Sequence, residues 1–204
     1  AAAGSEHGGS KTSGVIIQGT GSTYTVDIRD DYTALDGLVI SQQGGSYTTH
    51  ATDSTGFSFN ACIFDGESTT AGPTFFRDTG GSASDRAVIS NCVSIGSLTT
   101  NGNYFYTRVL TQNSYFRIIN CTAIGDTLGP GFRLEGRSGF NIDTEIVNCL
   151  ALCPRGYRES APFTVAGSNN FGGSTLVQLF PAALQGSPSS PITATADTYN
   201  PGAA

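Results

Sequence analysis

Four cysteines recur at a nearly constant interval, and this limits the chain more than any other feature. Cys62, Cys92, Cys121 and Cys149 are 30, 29 and 28 residues apart. Their surroundings recur with them, as "SFNACIFDG", "VISNCVSIG", "RIINCTAIG" and "EIVNCLALC". Three positions before each Cys stand Phe59, Ile89, Ile118 and Ile146, and four positions after stand Gly66, Gly96, Gly125 and Cys153. Asn91, Asn120 and Asn148 precede three of the cysteines, and Ala61 precedes the first. A fixed period of this length marks a solenoid, in which each unit is too short to bury its own apolar face and stacking does so.

The units read as strands. No window carries a sustained helical apolar stripe. The chain holds 27 Gly among 204 residues and only 13% charged residues. Few charges with many turn residues and β-branched residues favour an all-β chain. A second element recurs between the Cys motifs, as "TFFRD", "YFYTRVL", "GFRLEG" and "PFTVAG", with Phe76, Phe105, Phe132 and Phe163 at matching places. Each unit therefore holds two or three short strands. Upstream, "GVIIQG", "YTVDI" and "LDGLVIS" read as one or two less regular coils. Coils stacked about 4.8 Å apart place like residues in columns. Cys62, Cys92, Cys121 and Cys149 form a buried apolar column, since free Cys behaves as a small hydrophobe. Asn91, Asn120 and Asn148 form the neighbouring column at a bend. Asn tolerates the left-handed conformation there, and its amide can bond the next coil.

The "Asn-Cys-x-Ala-x-Gly … Gly-Phe" rhythm, over roughly residues 15–170, resembles the coils of right-handed parallel β-helix proteins of the pectin-lyase-like superfold. It is most similar to segments of bacteriophage tail spikes, fibres and other virion proteins. The resemblance implies a right-handed parallel β-helix of about five to six coils. It implies no single activity, because that fold carries lyases, hydrolases, adhesins and purely structural spikes. Residues 1–14 are expected to be a flexible or linker N-terminus, 15–175 the β-helix, and 176–204 a C-terminal cap or extended tail.

Chemistry-bearing residues are few. His7 and His50 read as surface-loop histidines without ligand partners, so no metal site and no cofactor are expected. The densest acids, Asp27, Asp30 and Asp31, are the one place where calcium is considered. Adjacent column cysteines fall within disulfide range, but strand geometry rarely suits the bond. Cys153 takes a turn position and reads as a buried turn residue, with a free or intermolecular thiol as the alternative. No Gly-x-Ser-x-Gly elbow or Ser/His/Asp set is present. Polygalacturonase-like enzymes carry a Gly-His-Gly and an Arg-Ile-Lys, and this chain has neither.

Carboxylates remain as candidates, because glycoside cleavage needs two of them about 5–9.5 Å apart. Asp65, Asp78, Asp126 and Glu135 are the first suspects. Arg77 and Arg133 each follow a Phe of the second element, so they are expected at one repeat position, where they could grip an anionic sugar. A salt-bridged solvent face is the favoured reading of them. Tyr104 and Tyr106 are the aromatic candidates for glycan or interface contact.

The net charge of −6 carries no basic patch, so nucleic acid is not an expected partner. No apolar run approaches the roughly 18–20 residues of a membrane span. The expected role is structural, as a spike, fibre or decoration module of a virion or comparable extracellular assembly. Its partners would be copies of itself, as a trimer, and other virion or surface subunits. The alternatives are a polysaccharide hydrolase or lyase and a non-catalytic glycan-binding adhesin.

Overall fold

The computed structural model describes Thr12 and residues 14–21, 23–66, 71–79, 81–96, 102–125, 129–153, 155–160, 163–168 and 170–172. These residues wind through three parallel sheets. The first coil runs β1 (Val15–Thr20), β2 (Tyr24–Ile28) and β3 (Ala34–Asp36). The second runs β4 (Leu38–Gln43), β5 (Tyr47–Thr52) and β6 (Ser58–Asn60). The third runs β7 (Ile63–Asp65), β8 (Gly72–Arg77) and β9 (Ala87–Ser90). The fourth runs β10 (Val93–Ile95), β11 (Phe105–Arg108) and β12 (Ser114–Ile119). The fifth runs β13 (Thr122–Ile124), β14 (Pro130–Glu135) and β15 (Ile142–Val147). The sixth runs β16 (Leu150–Leu152), β17 (Arg155–Ser160) and β18 (Phe163–Ser168), and β19 (Phe171–Gly172) opens a seventh. Every strand pairs in parallel with the strand one coil away, so the protein is an all-β parallel β-solenoid.

The Asn-Cys corner joins the third sheet to the first. Asn91, Asn120 and Asn148 have φ of 55°, 53° and 54°, and Ala61 has 50°. These are left-handed values, which Asn reaches more readily than other side-chain-bearing residues. The amides form a ladder along the solenoid. Asn148 Nδ2 donates to Asn120 Oδ1 at 3.2 Å, Asn120 Nδ2 to Asn91 Oδ1 at 3.1 Å, and Asn91 Nδ2 to Asn60 Oδ1 at 2.8 Å. Where Ala61 takes the corner, Asn60 carries the ladder from one residue earlier and passes it on to Asp36 Oδ1 at 2.8 Å.

Cys62, Cys92, Cys121 and Cys149 turn inward, and all five cysteines are buried and outside any disulfide. Each column thiol lies near the carbonyl two residues back, at 3.3 Å for Cys62, 3.1 Å for Cys92, 3.3 Å for Cys121 and 3.4 Å for Cys149. Burial pushes the Cys121 thiol well up. Contact with Cys92 first, and burial second, push up that of Cys62. The column ends at Asn170, whose Oδ1 accepts from Cys149 N at 2.9 Å and whose Nδ2 donates to Ile146 O at 2.8 Å. Beside the thiols, Phe59, Ile89, Ile118 and Ile146 form a continuous column, as their spacing predicted. A fully buried Ile or Phe contributes about 1.5–3 kcal/mol relative to exposure.

Two expectations about the second element are corrected. Phe105 stands opposite Phe132, with rings stacked at 5.1 Å, but Phe76 stands opposite Ala51 and Thr107. Phe163 belongs to the third sheet, opposite Ile142, and Tyr157 takes the place beside Phe132. The cause is corner length. β10 and β11 are separated by residues 96–104, β13 and β14 by 125–129, and β16 and β17 by only 153–154. A slip of two residues keeps a side chain on the same face but changes its neighbours.

Candidate functional site

The candidate polar residues converge best on the outer face of the second sheet. Strand alternation sends Phe76, Phe105 and Phe132 inward to the core and their neighbours outward. One outward column is Asp27, His50, Phe75, Tyr106 and Arg133. The adjacent one is Thr52, Arg77, Arg108 and Glu135. Arg77 therefore shares its repeat position with Arg108 and Glu135, and Arg133 lies in the other column.

The first column is an aromatic stack. Tyr24 lies over His50 at 4.2 Å, His50 meets Phe75 at 5.4 Å, and Phe75 stacks on Tyr106 at 4.8 Å. The Arg133 guanidinium carbon sits 4.6 Å from the Tyr106 ring centre, a cation–π contact. The stack is closed to solvent, with His50, Phe75 and Tyr106 only 2%, 8% and 5% exposed. The expectation of a surface-loop histidine at His50 is thereby corrected. It lies within β5, and its ring is part of a packed face. Its Nδ1 is 2.7 Å from Asp27 Oδ1, and its buried Nε2 has no hydrogen-bond partner. Burial pushes the His50 pKa down against the opposing pull of Asp27. Burial works to raise the Asp27 carboxyl, but bonds from His50 and Arg29 outweigh it and hold the group below its ordinary value.

Glu135 is the hub of the second column. Tyr106 Oη donates to its Oε2 at 2.7 Å, and Arg133 Nη2 donates to the same oxygen at 2.5 Å. Arg108 Nε lies 3.0 Å from Oε1. Burial first, and the bond to Glu135 second, push the Tyr106 hydroxyl up. Arg133 also reaches Asn103 Oδ1 at 3.3 Å. A carboxylate that accepts from Tyr106 and Arg133 and is ion-paired with Arg108 is an anchor between strands. Arg77 and Arg108 keep the most open side chains of this group, each 37% exposed.

The other carboxylates lie apart from this hub. Asp78 sits at the corner after β8 with φ 49° and is 2% exposed. Its Oδ1 accepts from Leu110 N at 2.6 Å and Thr111 N at 2.9 Å, which fixes the corner of the next coil. Asp65 ends β7 in the first sheet, 8% exposed. Asp126 lies outside the described residues, as does His7.

Tyr104 is corrected from an exposed contact to a core residue. It is 0% exposed, and its hydroxyl donates to Gly96 O at 3.0 Å. Asp27, Asp30 and Asp31 do not converge on a calcium site. Asp27 is paired with His50 and Arg29, and Asp31 Oδ1 accepts from Thr55 N at 2.6 Å. Among the described residues, no group of three or more His, Cys, Asp or Glu could hold a metal ion.

Arg108, Phe75 and the Asp27–His50 pair escaped the sequence reading. Aligning the second element on Phe105 and Phe132 alone pairs Tyr106 with Arg133 and Arg108 with Glu135, and this was the signal available. Comparison of the chain with family models, curated proteins and solved structures found no match.

Proposed function

We propose that the chain is a structural solenoid module, a stiff segment of a virion spike, fibre or decoration protein or of a comparable extracellular assembly. Its sequence rhythm resembles right-handed parallel β-helix proteins of the pectin-lyase-like superfold, which form such parts. One observation carries the reading. The polar groups a catalyst would use are already committed: Glu135 to Tyr106 and Arg108 of the neighbouring coil and to Arg133 of its own strand, and Asp78 to two backbone amides of the next coil. Polar ladders of this kind stiffen a stack of coils. The assembly would use copies of the chain, as a trimer, and other virion or surface subunits.

Light scattering after size exclusion, with an unheated detergent gel, tests self-assembly. A resistant trimer is the expected result, and a clean monomer overturns this part of the proposal. A second reading, a glycan-binding adhesin, is favoured by the half-open Arg77 and Arg108 guanidinium groups beside the Tyr106–Arg133 stack. A reducing-end assay on a polysaccharide panel addresses the enzymatic alternative. The expected result is no cleavage. Cleavage abolished by Asp78→Asn or Glu135→Gln would replace the structural reading with a hydrolase or lyase.

A further inference from the structure

The outer face of the second sheet gathers arginines. Register places Arg77 directly opposite Arg108, and Arg133 directly opposite Arg158. All four point outward, because their strand neighbours Phe76, Thr107, Phe132 and Tyr157 are buried. They are four of the chain's 10 Lys and Arg residues. Like charges directly opposite each other in neighbouring strands destabilise a sheet. Two such pairs on one face of a chain with net charge −6 call for a reason beyond folding.

The carboxylates of this face do not offset the pairs. Glu135 holds Arg108 and Arg133, so it serves one member of each. Asp78 Oδ2 lies 3.7 Å from Arg77 Nε, and its Oδ1 is taken by the Leu110 and Thr111 amides. Arg77 Nε also donates to Thr52 Oγ1 at 3.3 Å. Arg158 is exposed, and among the described residues it has no hydrogen-bond or ion-pair partner. In the sheet order, β8 and β17 are three strands apart. At about 4.8 Å per strand, Arg77 and Arg158 stand about 14 Å apart, one on each side of the Glu135 hub.

The same face narrows the partner. Guanidinium forks fit oxyanions such as carboxylate and sulfate. Peptides dock on a free strand edge or in an apolar groove. Here β8, β11 and β14 are paired along both edges. Single-stranded nucleic acid needs open rings on which bases stack. Phe75 and Tyr106 are closed to solvent and cannot serve. A linear polysaccharide with an oxyanion on successive sugars needs neither edge nor ring, only spaced cations.

We infer that Arg77, Arg108, Arg133 and Arg158 bind an acidic polysaccharide laid across the strands of the second sheet, with Arg77 and Arg158 as its outer contacts. Glu135 already fixes the two inner guanidinium groups, so they lose little freedom on binding. The inference rests on the glycan-binding reading and names its ligand class.

The test is calorimetric titration of the full chain at low salt. The probes are oligouronates, which carry carboxylates, and dextran sulfate, which carries sulfates. Neutral dextran, polyglutamate and single-stranded DNA are titrated beside them. At least one acidic polysaccharide is expected to bind, more weakly as salt rises, and the pair of probes tells carboxylate from sulfate recognition. Arg77→Ala with Arg158→Ala is expected to weaken binding about tenfold or more. Each single variant gives part of that loss and guards against a folding defect in the double one. Arg117→Ala, on the third sheet, is expected to change nothing. No binding of either acidic polysaccharide, or equal binding by the double variant, would overturn the inference. So would polyglutamate or DNA binding as tightly, which would assign the face to an acidic protein or to nucleic acid. Binding of a neutral glycan alone sinks this inference and leaves the glycan-binding reading standing, whereas a chain that binds no glycan ends both.

Discussion

Ala61 is a residue whose neighbours argue against it. It holds the same left-handed corner as Asn91, Asn120 and Asn148, at φ 50°. A Cβ in that conformation costs about 1–2 kcal/mol, and Asn lowers the cost by bonding locally. Ala61→Asn is therefore expected to raise stability by about 1 kcal/mol, seen as a higher urea midpoint at unchanged slope. A lowered midpoint would mean that Asn60 already fills the ladder position and leaves no room. His50 makes a prediction in pH. Its folded pKa lies below the ordinary 6.5, so the unfolded chain takes up the proton first. Stability is full above about pH 6.5, and is lost as pH falls from there towards the folded value. Asp27, whose pKa is also lowered, adds a second loss as pH falls below its ordinary 3.8. The urea midpoint is expected to drop between pH 7.5 and 5.5, and His50→Phe is expected to abolish that drop while keeping the ring stack. The two residues differ in how readable they were. The Asn corners were legible because conformation and ladder bonding both demand Asn. The burial of His50 was not, because it depends on Tyr24 and Phe75 from adjacent coils.

Among the elements, the corner between the first and second sheets decides which residue each coil can place there. A Cβ on Gly125 would lie 1.5 Å from Tyr104 Oη and 2.2 Å from its ring carbon. One coil later the same position is Cys153. The place equivalent to Tyr104 is then Gly131, whose ideal Cβ would lie 3.1 Å from Cys153 Sγ. The ring fills the corner in one coil and the thiol fills it in the next, so Cys153 replaces a turn glycine without strain. Gly125→Ala is expected to cost about 1–3 kcal/mol through overpacking. In the Tyr104→Ala background it should cost far less, a non-additivity that a double-mutant cycle in urea would measure. Strand positions were legible from the period, because each unit repeats the same inward residues. Register in the second sheet was not, because the corner before it changes length from coil to coil. Counting from Phe76 therefore joined Arg77 to Arg133, when the true neighbour is Arg108. The Glu135 hub was visible only as separate residues, since its three partners come from two strands.

For the molecule as a whole, a solenoid's stability is approximately a sum of coil terms and nearest-neighbour interfaces. Coils with matched register should then be removable as units. Cys92 and Cys121 occupy one position of successive coils, since Val93 pairs with Thr122. Deleting residues 92–120 joins Asn91 to Cys121 and keeps every column in phase. Asn148 would then meet Asn91, Ile146 would meet Ile89, and Arg77 would come beside Glu135 in place of Arg108. The shortened chain is expected to fold cooperatively with the parent's strand signal per residue. Its melting temperature should fall, because one interface is gone and Asp78 loses the Leu110 and Thr111 amides it caps. Deleting only residues 92–105 removes about half a coil and sends second-sheet residues into the first sheet, so that chain should not fold. Circular dichroism and thermal melts of the two deletions decide the matter. If both unfold alike, the coils are not independent units, and the ladders act over the whole length instead of between neighbours.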